Sequence, residues 1–312
     1  MVRLSIDPKS PPQGSTQPNR VANPNEYYQP IEIEEAPVRT RSCFTCGCLP
    51  LLVVFLLILG AYFLLPLRTN ILLLGIDRTP DGSAVGRTDT NILISINPLK
   101  PVVNMLSIPR DLWVSIPGVG ENRINTAHFF AEANQAGSGP MAVLETVRTN
   151  FGVTVRYYAR VKFTSFIEIV DAMGGLKINL TDPMAGYAPG IHTLTGEQAL
   201  AFARDRAGAD DFFRMQNGQF LLKAAFKQML NPLSWVRIPA VAGVFFRSVD
   251  TNIPVFLWPR LGLAVLRAGP DGIDNRTITR EMVNPWTTDQ GANVLLPIWD
   301  AINPVLLEMF GE

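Results

Sequence analysis

Cysteine is scarce in this chain of 312 residues, and its distribution is uneven. Cys43, Cys46 and Cys48 lie near the N-terminus, and the sequence after them contains no cysteine. A large region without thiols needs no disulfide and suits an oxidising space outside the cytoplasm. The Cys-x-x-Cys-x-Cys spacing leaves three interpretations open: a zinc site without an evident fourth ligand, S-palmitoylation beside a membrane, or reduced thiols without a special role.

Net charge and the common catalytic motifs are also missing. The 27 basic and 27 acidic residues balance, and no Lys/Arg-rich block or nucleic-acid-binding motif occurs, so we expect no nucleic-acid partner. The two histidines, His128 and His192, do not have metal-ligand spacing. The sequence has no Walker loop, G-x-S-x-G elbow or G-x-G-x-x-G motif, which argues against the sites that these motifs build.

One long apolar run stands out in a chain that is 47% apolar. Residues 49–67 read LPLLVVFLLILGAYFLLPL and contain no charge. At ~1.5 Å per residue this run just spans the ~30 Å hydrocarbon core, so it predicts one transmembrane helix. A cleaved signal peptide fits less well, because a long segment precedes the run and Phe63–Pro66 is a poor cleavage site. A buried core helix would rarely lack every polar position.

The segments on either side of the run predict its orientation. Arg39 and Arg41 precede it, with Arg20, Lys9 and Arg3 further back, whereas Arg68 and Arg78 follow it. This modest excess predicts that the N-terminus lies in the cytoplasm. Residues 1–48 are rich in Pro, Asn, Gln and Glu, so we expect a disordered cytoplasmic tail. Residues 69–312 then form a folded domain outside the cytoplasm, attached to the cell membrane by a single pass.

Within residues 69–312, short apolar runs alternate with amphipathic segments, which predicts an α/β fold with a sheet covered by helices. Ser165 with Glu168, and Thr195 with Gln198, have the spacing of capping boxes and predict two helix starts. The predicted strands are Thr69–Gly75, Asn91–Ile96, Val102–Ile108, Arg156–Val161 and Leu176–Leu180; the predicted helices are 140–150, 165–174, 195–203 and 211–230.

Charged residues concentrate at the predicted ends of strands and helices, where α/β proteins collect their sites. They are Asp77, Arg87, Asp89, Arg110, Asp111, Arg204, Arg206, Asp211 and Arg214. Guanidinium groups match phosphate oxygens, and carboxylates beside a polyanion require a cation such as Mg²⁺ between them. The set therefore predicts a site for a phosphate ester with a metal. The alternative is that these residues form ion pairs that stabilise turns.

Six motifs occur in the order found in the LytR-CpsA-Psr family, and the sequence resembles that family from about Asn70 to its C-terminus. The motifs are LLLGID, GRTDT, SIPRD, RINTAHFF, GGLKINL and LTGEQALAFARDRAGADDFFRMQ. The resemblance implies a central mixed β-sheet sandwiched by helices, with an apolar tunnel for a polyprenyl chain. It also agrees with the single predicted membrane span.

The resemblance implies a phosphotransferase that moves a glycopolymer from a polyprenyl-pyrophosphate carrier to a cell-wall acceptor such as peptidoglycan. It implies Mg²⁺ near Asp77, Asp89 and Asp211, with Asp211 as metal ligand or general base. The implied pyrophosphate ligands are Arg87, Arg110, Arg123, Arg204, Arg206 and Arg214, and the implied catalytic residues are Asp211, Arg110 and Arg206.

The sequence departs from the family pattern at two positions. Asn217 and Gly218 stand where the family usually has Arg-Gln, and the Gln that Gly218 replaces is expected to touch phosphate. Gln219 points about 100° away from Gly218 on a helix. Arg123 replaces a Lys that often precedes Ile-Asn, which keeps the charge but changes the donor geometry. Two alternative functions therefore stay open: a hydrolase of the same pyrophosphate lipid, and a non-catalytic lipid-binding sensor of the envelope.

Overall fold

The computed structural model describes residues 48–64, 68–76, 85–99, 102–205, 211–269 and 271–311. Most of the predicted tail, including Cys43 and Cys46, lies outside these residues, as do Asp77 and Arg206. The chain divides into two compact units, Met1–Val54 and Phe55–Glu312, and each is described by itself.

The described part of the apolar run forms α1, Cys48–Leu64, and residues 65–67 lie outside the described residues. Among the described residues no single helix is both long and apolar enough to cross a membrane. One bent pair, Phe212–Leu230 with Pro232–Ser248, passes that test on length and composition only. The transmembrane helix over residues 49–67 therefore stays a prediction.

The described part of the folded unit contains strands of three to nine residues, separated by helices of 9 to 20 residues. The strands are β1 Thr69–Ile76, β2 Thr88–Ile96, β3 Val103–Ile108, β4 Trp113–Ile116, β5 Gly120–Arg123, β6 Tyr157–Lys162, β7 Leu176–Leu180, β8 Gly190–Leu194, β9 Val249–Thr251, β10 Ile273–Thr277, β11 Val283–Thr287 and β12 Asn293–Pro297. The helices after α1 are α2 Thr126–Asn134, α3 Gly139–Phe151, α4 Phe163–Ala172, α5 Gly196–Arg204, α6 Asp211–Leu230, α7 Ile238–Ser248, α8 Trp258–Ala268 and α9 Trp299–Phe310.

Six of these strands form one mixed sheet in the order β10-β3-β2-β1-β6-β9. The pairs β1–β6 and β3–β10 are parallel, whereas β1–β2, β2–β3 and β6–β9 are antiparallel. Three separate hairpins, β4–β5, β7–β8 and β11–β12, complete the described strands. The expected central mixed sheet is confirmed.

Helices cover both faces of the sheet because successive strand residues point to opposite sides. Leu72, Leu74 and Leu93 face one cluster, to which α3 and α9 contribute. Ile71, Ile92 and Ile94 face the other, to which α8 contributes. A third cluster joins α4, α5 and α6 to β7 and β8. The sandwich of sheet between helices is therefore formed by the alternating apolar pattern of the central strands.

One predicted helix start is correct and the other is wrong. Thr195 and Gln198 form the expected capping box at the start of α5. Helix α4 begins at Phe163, directly after β6, so Ser165 lies inside the helix and caps nothing. The Ser165 hydroxyl donates instead to the Ser248 carbonyl at 2.8 Å, and Glu168 accepts from the Ser248 hydroxyl at 3.2 Å. The spacing thus marks a tertiary contact with the end of α7.

Candidate active site

The first three strands bring three of the sequence motifs to one edge of the sheet. Asn91 of β2 lies opposite Ile108 of β3, and Thr88 lies opposite Ile76 of β1. The start of β2 therefore meets the ends of β1 and β3. Gly75 permits this close approach, because a Cβ at that position would lie 2.9 Å from Thr90 Cβ.

A cavity of about 240 Å³ lies between this edge and helices α5 and α6. Among the described residues that line it, the charged ones are Asp89, Arg110, Arg204 and Arg214. The remaining lining residues are Thr90, Asn91, Ile92, Ser107, Ile108, Phe163, Leu200, Ala203, Met215 and Gly218. Cationic groups and an apolar wall thus share one cavity, which suits a ligand with an anionic head and an apolar body.

Asp89 is the carboxylate that joins two of the guanidinium groups. Arg110 Nη1 lies 2.7 Å from Asp89 Oδ1, and Arg214 Nη2 lies 3.7 Å from the same oxygen. All three side chains are mostly buried, with exposed fractions between 12% and 22%. Because partial burial reduces the screening by solvent, this cluster holds its charges in a defined arrangement.

Arg110 is held by a second carboxylate, since its Nε lies 3.3 Å from Asp111 Oδ2. The other oxygen of Asp111 lies 3.4 Å from Arg123 Nε, and Arg123 Nη2 donates to the Asn293 carbonyl at 2.7 Å. The Arg110 guanidinium is therefore oriented by Asp89 on one side and by Asp111 on the other. This arrangement fixes the plane in which a bidentate anion would bind.

Arg204 reaches the cavity from the last turn of α5. Its guanidinium lies 5.2 Å from the centre of the Phe163 ring, the first residue of α4. A cation at the C-terminal end of a helix is also stabilised by the helix dipole. The Arg204 guanidinium thereby lies against an aromatic wall of the cavity.

Two predicted pyrophosphate ligands lie outside the cavity lining. Arg87 is exposed, with its guanidinium 5.9 Å from the centre of the Phe129 ring. Arg123 occupies the contacts to Asp111 and Asn293 described above. Their part in pyrophosphate binding stays a prediction.

The predicted magnesium ligands are only partly described. Asp77 and Arg206 lie outside the described residues, and Asp211 begins α6 without a described side chain. Within the portion of the chain that is described, no group of three or more His, Cys, Asp and Glu residues is arranged to hold a metal ion. The Mg²⁺ site stays a prediction based on the resemblance.

Gly218 and Gln219 differ completely in their surroundings. Gly218 lines the cavity, and a Cβ there would meet no atom within 4 Å. Gln219 is buried on another side of α6, where its Nε2 donates to Ser107 Oγ at 2.7 Å and its Oε1 accepts from Thr277 Oγ1 at 2.8 Å. Gln219 therefore ties α6 to strands β3 and β10 and leaves the cavity wall open at Gly218.

A buried polar network behind the GRTDT motif was not predicted from the sequence. His128 is fully buried; its Nδ1 donates to the Gly86 carbonyl at 2.8 Å, and its Nε2 lies 3.3 Å from Arg160 Nη1. Arg160 also pairs with Glu132 at 3.3 Å and with Asp250 at 2.6 Å. The available signal was the four-residue spacing of His128 and Glu132, which places both on one face of α2.

Burial, hydrogen bonds and the charge of Arg160 shift the pKa values of His128 and Glu132. Burial lowers the pKa of His128, and the nearby charge of Arg160 acts in the same direction. For Glu132, burial by itself would raise the pKa, but hydrogen bonds from the Gly137 and Gly139 backbone and the charge of Arg160 lower it. A neutral imidazole thus holds the carbonyl of Gly86, the residue that directly precedes Arg87.

A model of the LytR_cpsA_psr family matches residues 67–297, about three quarters of the chain. The chain belongs to this family. The match begins at the predicted end of the membrane span and includes every predicted site residue. The resemblance drawn from the six motifs is therefore confirmed.

Curated members of the family include regulators and transferases. The chain is 32% identical to the regulatory protein MsrR of Staphylococcus aureus strain Mu50 over 195 residues, which are 60% of this chain and 57% of that protein. It is also 32% identical over 249 residues to the polyisoprenyl-teichoic acid–peptidoglycan teichoic acid transferase TagU of Oceanobacillus iheyensis, with 78% and 75% covered. The chain thus spans little more than half the length of the staphylococcal regulator.

Solved structures in the family share the fold. The crystal structure of TagV from B. subtilis has a TM-score of 0.63 at 24% identity, with 78% of this chain and 97% of that chain covered. The structure of the LytR-CPS2A-psr family protein YwtF (TagT) with bound octaprenyl pyrophosphate lipid has a TM-score of 0.57 at 23% identity, with 78% and 91% covered. At these identities the likeness establishes the fold.

Proposed function

We propose that this protein transfers a glycopolymer from a polyprenyl-pyrophosphate carrier to a cell-wall acceptor such as peptidoglycan. The observation that carries the proposal is the placement of Asp89, Arg110 and Arg214 at one cavity that also has an apolar wall. A relative named as a teichoic acid transferase and a fold neighbour with bound octaprenyl pyrophosphate support it. The natural glycopolymer stays open.

In the proposed reaction, a hydroxyl oxygen of the acceptor attacks the phosphorus that carries the glycan. The bond from that phosphorus to the bridging oxygen breaks, and polyprenyl phosphate leaves with the electron pair. The hydroxyl proton passes to a base, for which we propose Asp211. Arg110 and Arg214 bind the phosphate oxygens and stabilise the charge that develops on the bridging oxygen.

Arg206 and Arg204 complete the proposed set of anion ligands, with Arg87 and Arg123 in outer positions. Asp89 orients two guanidiniums through one oxygen, Oδ1. Because carboxylates already hold the guanidinium groups in position, these groups need no reorganisation when the phosphate binds. The carrier already contains the activated bond, so no nucleotide is required.

The donor set fits Mg²⁺, which in proteins is usually held by one or two carboxylates and by substrate phosphates. Asp89 lines the cavity and would hold the ion through its carboxylate. Asp77 and Asp211 are the other proposed ligands. When bound, the ion would supply Lewis-acid stabilisation of the pyrophosphate charge.

We also propose that residues 49–67 anchor the protein in the cell membrane, with the N-terminus in the cytoplasm and the domain outside. An enzyme that acts on a polyprenyl carrier must meet its donor at the bilayer. The apolar α1 supports this proposal by its composition, since it contains no charged residue.

The full chain, solubilised in detergent, tests the proposal with a radiolabelled polyprenyl-pyrophosphate glycan and peptidoglycan fragments, with and without Mg²⁺. We expect label on peptidoglycan, and we expect Arg110→Ala to reduce the rate by ~100-fold or more. Arg148→Ala is the matched control, because Arg148 is exposed and paired with Glu145 on α3.

Two other outcomes of this assay would contradict the proposed transfer. Free glycan phosphate without labelled peptidoglycan would identify a hydrolase that uses water in place of the sugar hydroxyl. Retention of the lipid without turnover, independent of Mg²⁺, would identify a lipid-binding sensor.

A further inference from the structure

A second concave surface lies beside the distal half of α6 and shares no lining residue with the candidate active site. This groove has a volume of about 830 Å³ and lies between β7, α6 and the 3-10 helix Pro232–Arg237. We call it the basic groove, because its charged lining residues in the described chain are Lys177, Lys223, Lys227 and Arg237.

The four cations of the basic groove are not balanced by acidic residues. No Asp or Glu occurs among the described residues that line it, and none of the four forms an ion pair within the described part of the chain. All four side chains are exposed. Like charges gathered on one concave surface create a positive potential, which attracts phosphate or another anion.

Hydrogen bonds hold the walls of the basic groove in place. The Gln228 side chain accepts from the Lys177 backbone at 2.8 Å and donates to the Gly175 carbonyl at 2.8 Å, which joins α6 to β7. Asn231 caps the 3-10 helix by accepting from the Leu233 backbone at 3.1 Å. The Arg237 guanidinium occupies the space that a Cβ at Gly174 would fill. The groove is thus formed before any ligand binds.

An apolar strip adjoins these cations on the same 3-10 helix and the start of α7. It consists of Leu233, Trp235, Val236 and Ile238, all exposed, with Leu233 and Val236 at 86% and 83%. Single exposed apolar residues are ordinary, but four within six positions are an unfavourable surface in water. Trp is also the residue that membrane–water interfaces favour.

Cations next to exposed apolar side chains match the two layers of an anionic bilayer surface. Lys and Arg attract the headgroup phosphates, and the apolar side chains enter the boundary between headgroups and acyl chains. An acidic peptide would satisfy the cations but would leave Leu233 and Val236 in water. The charge and the apolar strip together therefore favour a lipid surface.

We propose that the basic groove and the apolar strip form a docking site for the surface of an anionic lipid bilayer. Lipid phosphates bind in the groove, and the strip inserts at the acyl boundary. Gly218 in the cavity and Lys227 in the groove lie nine positions apart on α6, about 13 Å along the helix axis. Docking therefore keeps the candidate active site close to lipid headgroups, whichever reaction it performs.

The test uses the full chain with Cys43, Cys46 and Cys48 replaced by Ser and a single reporter at Val236→Cys, labelled with an environment-sensitive fluorophore. The protein is reconstituted with vesicles of phosphatidylcholine, with or without phosphatidylglycerol. We expect the reporter to shift to the blue and to be shielded from iodide only with phosphatidylglycerol. The shift should diminish at high salt.

Matched variants separate docking from anchoring by α1. A reporter at Met141→Cys, which is 53% exposed near the start of α3 and away from the residues that follow α1, should stay accessible to iodide in both vesicle types. The double variant Lys223→Gln/Lys227→Gln should reduce the equilibrium constant for docking to anionic vesicles, as reported by the label at Val236→Cys, by roughly 30-fold. Arg148→Gln, which removes a cation outside the groove, should leave it unchanged.

Three results would overturn the proposal. The first is a Val236→Cys reporter that stays accessible to iodide in anionic vesicles. The second is equal shielding of the reporter without phosphatidylglycerol. The third is a full fluorescence shift in the Lys223→Gln/Lys227→Gln variant. Shielding by soluble polyphosphate in detergent, without an effect of lipid, would identify an anionic polymer as the occupant and would also overturn it. None of these readouts depends on glycopolymer transfer.

Discussion

Arg110 Nη1 donates a 2.7 Å hydrogen bond to Asp89 Oδ1, which joins the residue two positions beyond β3 to the second residue of β2. Arg214 of α6 approaches the same oxygen at 3.7 Å. Asp89 therefore connects the sheet edge to the helix that forms the far wall of the cavity. The pair has two possible purposes, to stabilise the turn or to orient donors for a phosphate, and they can be separated.

Exchanging Asp89 and Arg110 separates a role of the pair in stability from a role in transfer activity. The double variant Asp89→Arg/Arg110→Asp should recover only part of the stability that either single substitution loses, because the exchange also places a carboxylate beside Asp111 and a guanidinium beside Arg214. It should recover no transfer activity, because the guanidinium then has a different position and Asp89 no longer serves the metal. Denaturant unfolding and the transfer assay measure the two quantities. Recovery of both would mean that the pair only stabilises the turn.

Two glycine-to-alanine substitutions in helices should have opposite effects on stability. Gly218→Ala in the interior of α6 should raise the free energy of unfolding by about 0.5–1 kcal/mol, since its Cβ meets no atom within 4 Å. Gly139→Ala should lower it by about 1–3 kcal/mol, because its Cβ would lie 2.6 Å from His128 Nε2 and 2.7 Å from Glu132 Oε2. Urea unfolding measures both, and equal signs would contradict the packing described at one of the positions.

Gly218→Gln should strengthen donor binding. The open space at Gly218 admits a longer side chain, whose amide would reach the cavity beside Arg214. One additional hydrogen bond to phosphate, at ~1.5 kcal/mol, corresponds to about a tenfold lower Kd. Binding of a polyprenyl-pyrophosphate lipid measures the change, and Gly218→Ala is the control for helix propensity. Weaker binding by Gly218→Gln would indicate that the ligand already fills this space.

Acidification should destabilise the protein through His128. Burial lowers the pKa of His128 in the folded state below 6.5, so the unfolded chain binds the proton more readily. The free energy of unfolding should therefore fall as the pH drops below about 6.5 and continue to fall until the lowered pKa is reached. Glu132, whose pKa is also lowered, adds its own loss only further into the acid range, below about 4.5.

Unfolding in urea across this pH range checks the histidine effect. His128→Gln should remove the slope that begins near pH 6.5, because no titrating group remains between the Gly86 carbonyl and Arg160. His192→Gln replaces the second histidine and should leave the His128 transition in place. An unchanged slope in His128→Gln would assign the pH dependence to other groups.

Gln219→Leu should damage folding and spare the chemistry. Loss of the contacts to Ser107 and Thr277 leaves buried hydroxyl groups without their partner, which costs about 1–3 kcal/mol. The transfer rate per folded molecule should stay within about a factor of three, since Gln219 does not line the cavity. Thermal melts and the transfer assay, normalised to folded protein, measure the two effects. A large loss of rate at unchanged stability would give Gln219 a role in the site.

The predictability of the fold varied along the chain. The apolar strands β1, β2 and β3 were predicted to within three residues, because buried central strands are continuous runs of large apolar side chains. The edge strand β10 was missed, since Ile273–Thr277 is mostly polar and pairs with β3 only through tertiary contact. Helices α7, α8 and α9 were also not predicted.

The candidate site was predictable in its composition and less so in its arrangement. Asp89, Arg110, Arg204 and Arg214 were expected to lie together, and all four line the cavity. Arg123 was expected among them but pairs with Asp111 and Asn293 outside it. Its direction depends on the hairpin β4–β5 and the first residue of β12, which are distant from each other in the sequence.

The sequence by itself determined the family, the sandwich of sheet between helices and the residues with the charge to bind a pyrophosphate, because motif order, apolar periodicity and charge are local properties of the chain. Only the tertiary structure decided which guanidiniums share Asp89, that Gln219 supports the sheet and that Gly218 opens the cavity. It also decided that His128 is buried behind Gly86, and that four cations without an ion pair among the described residues lie beside an exposed apolar strip. These relationships depend on distances between residues far apart in the chain, which burial and packing set only when the domain folds.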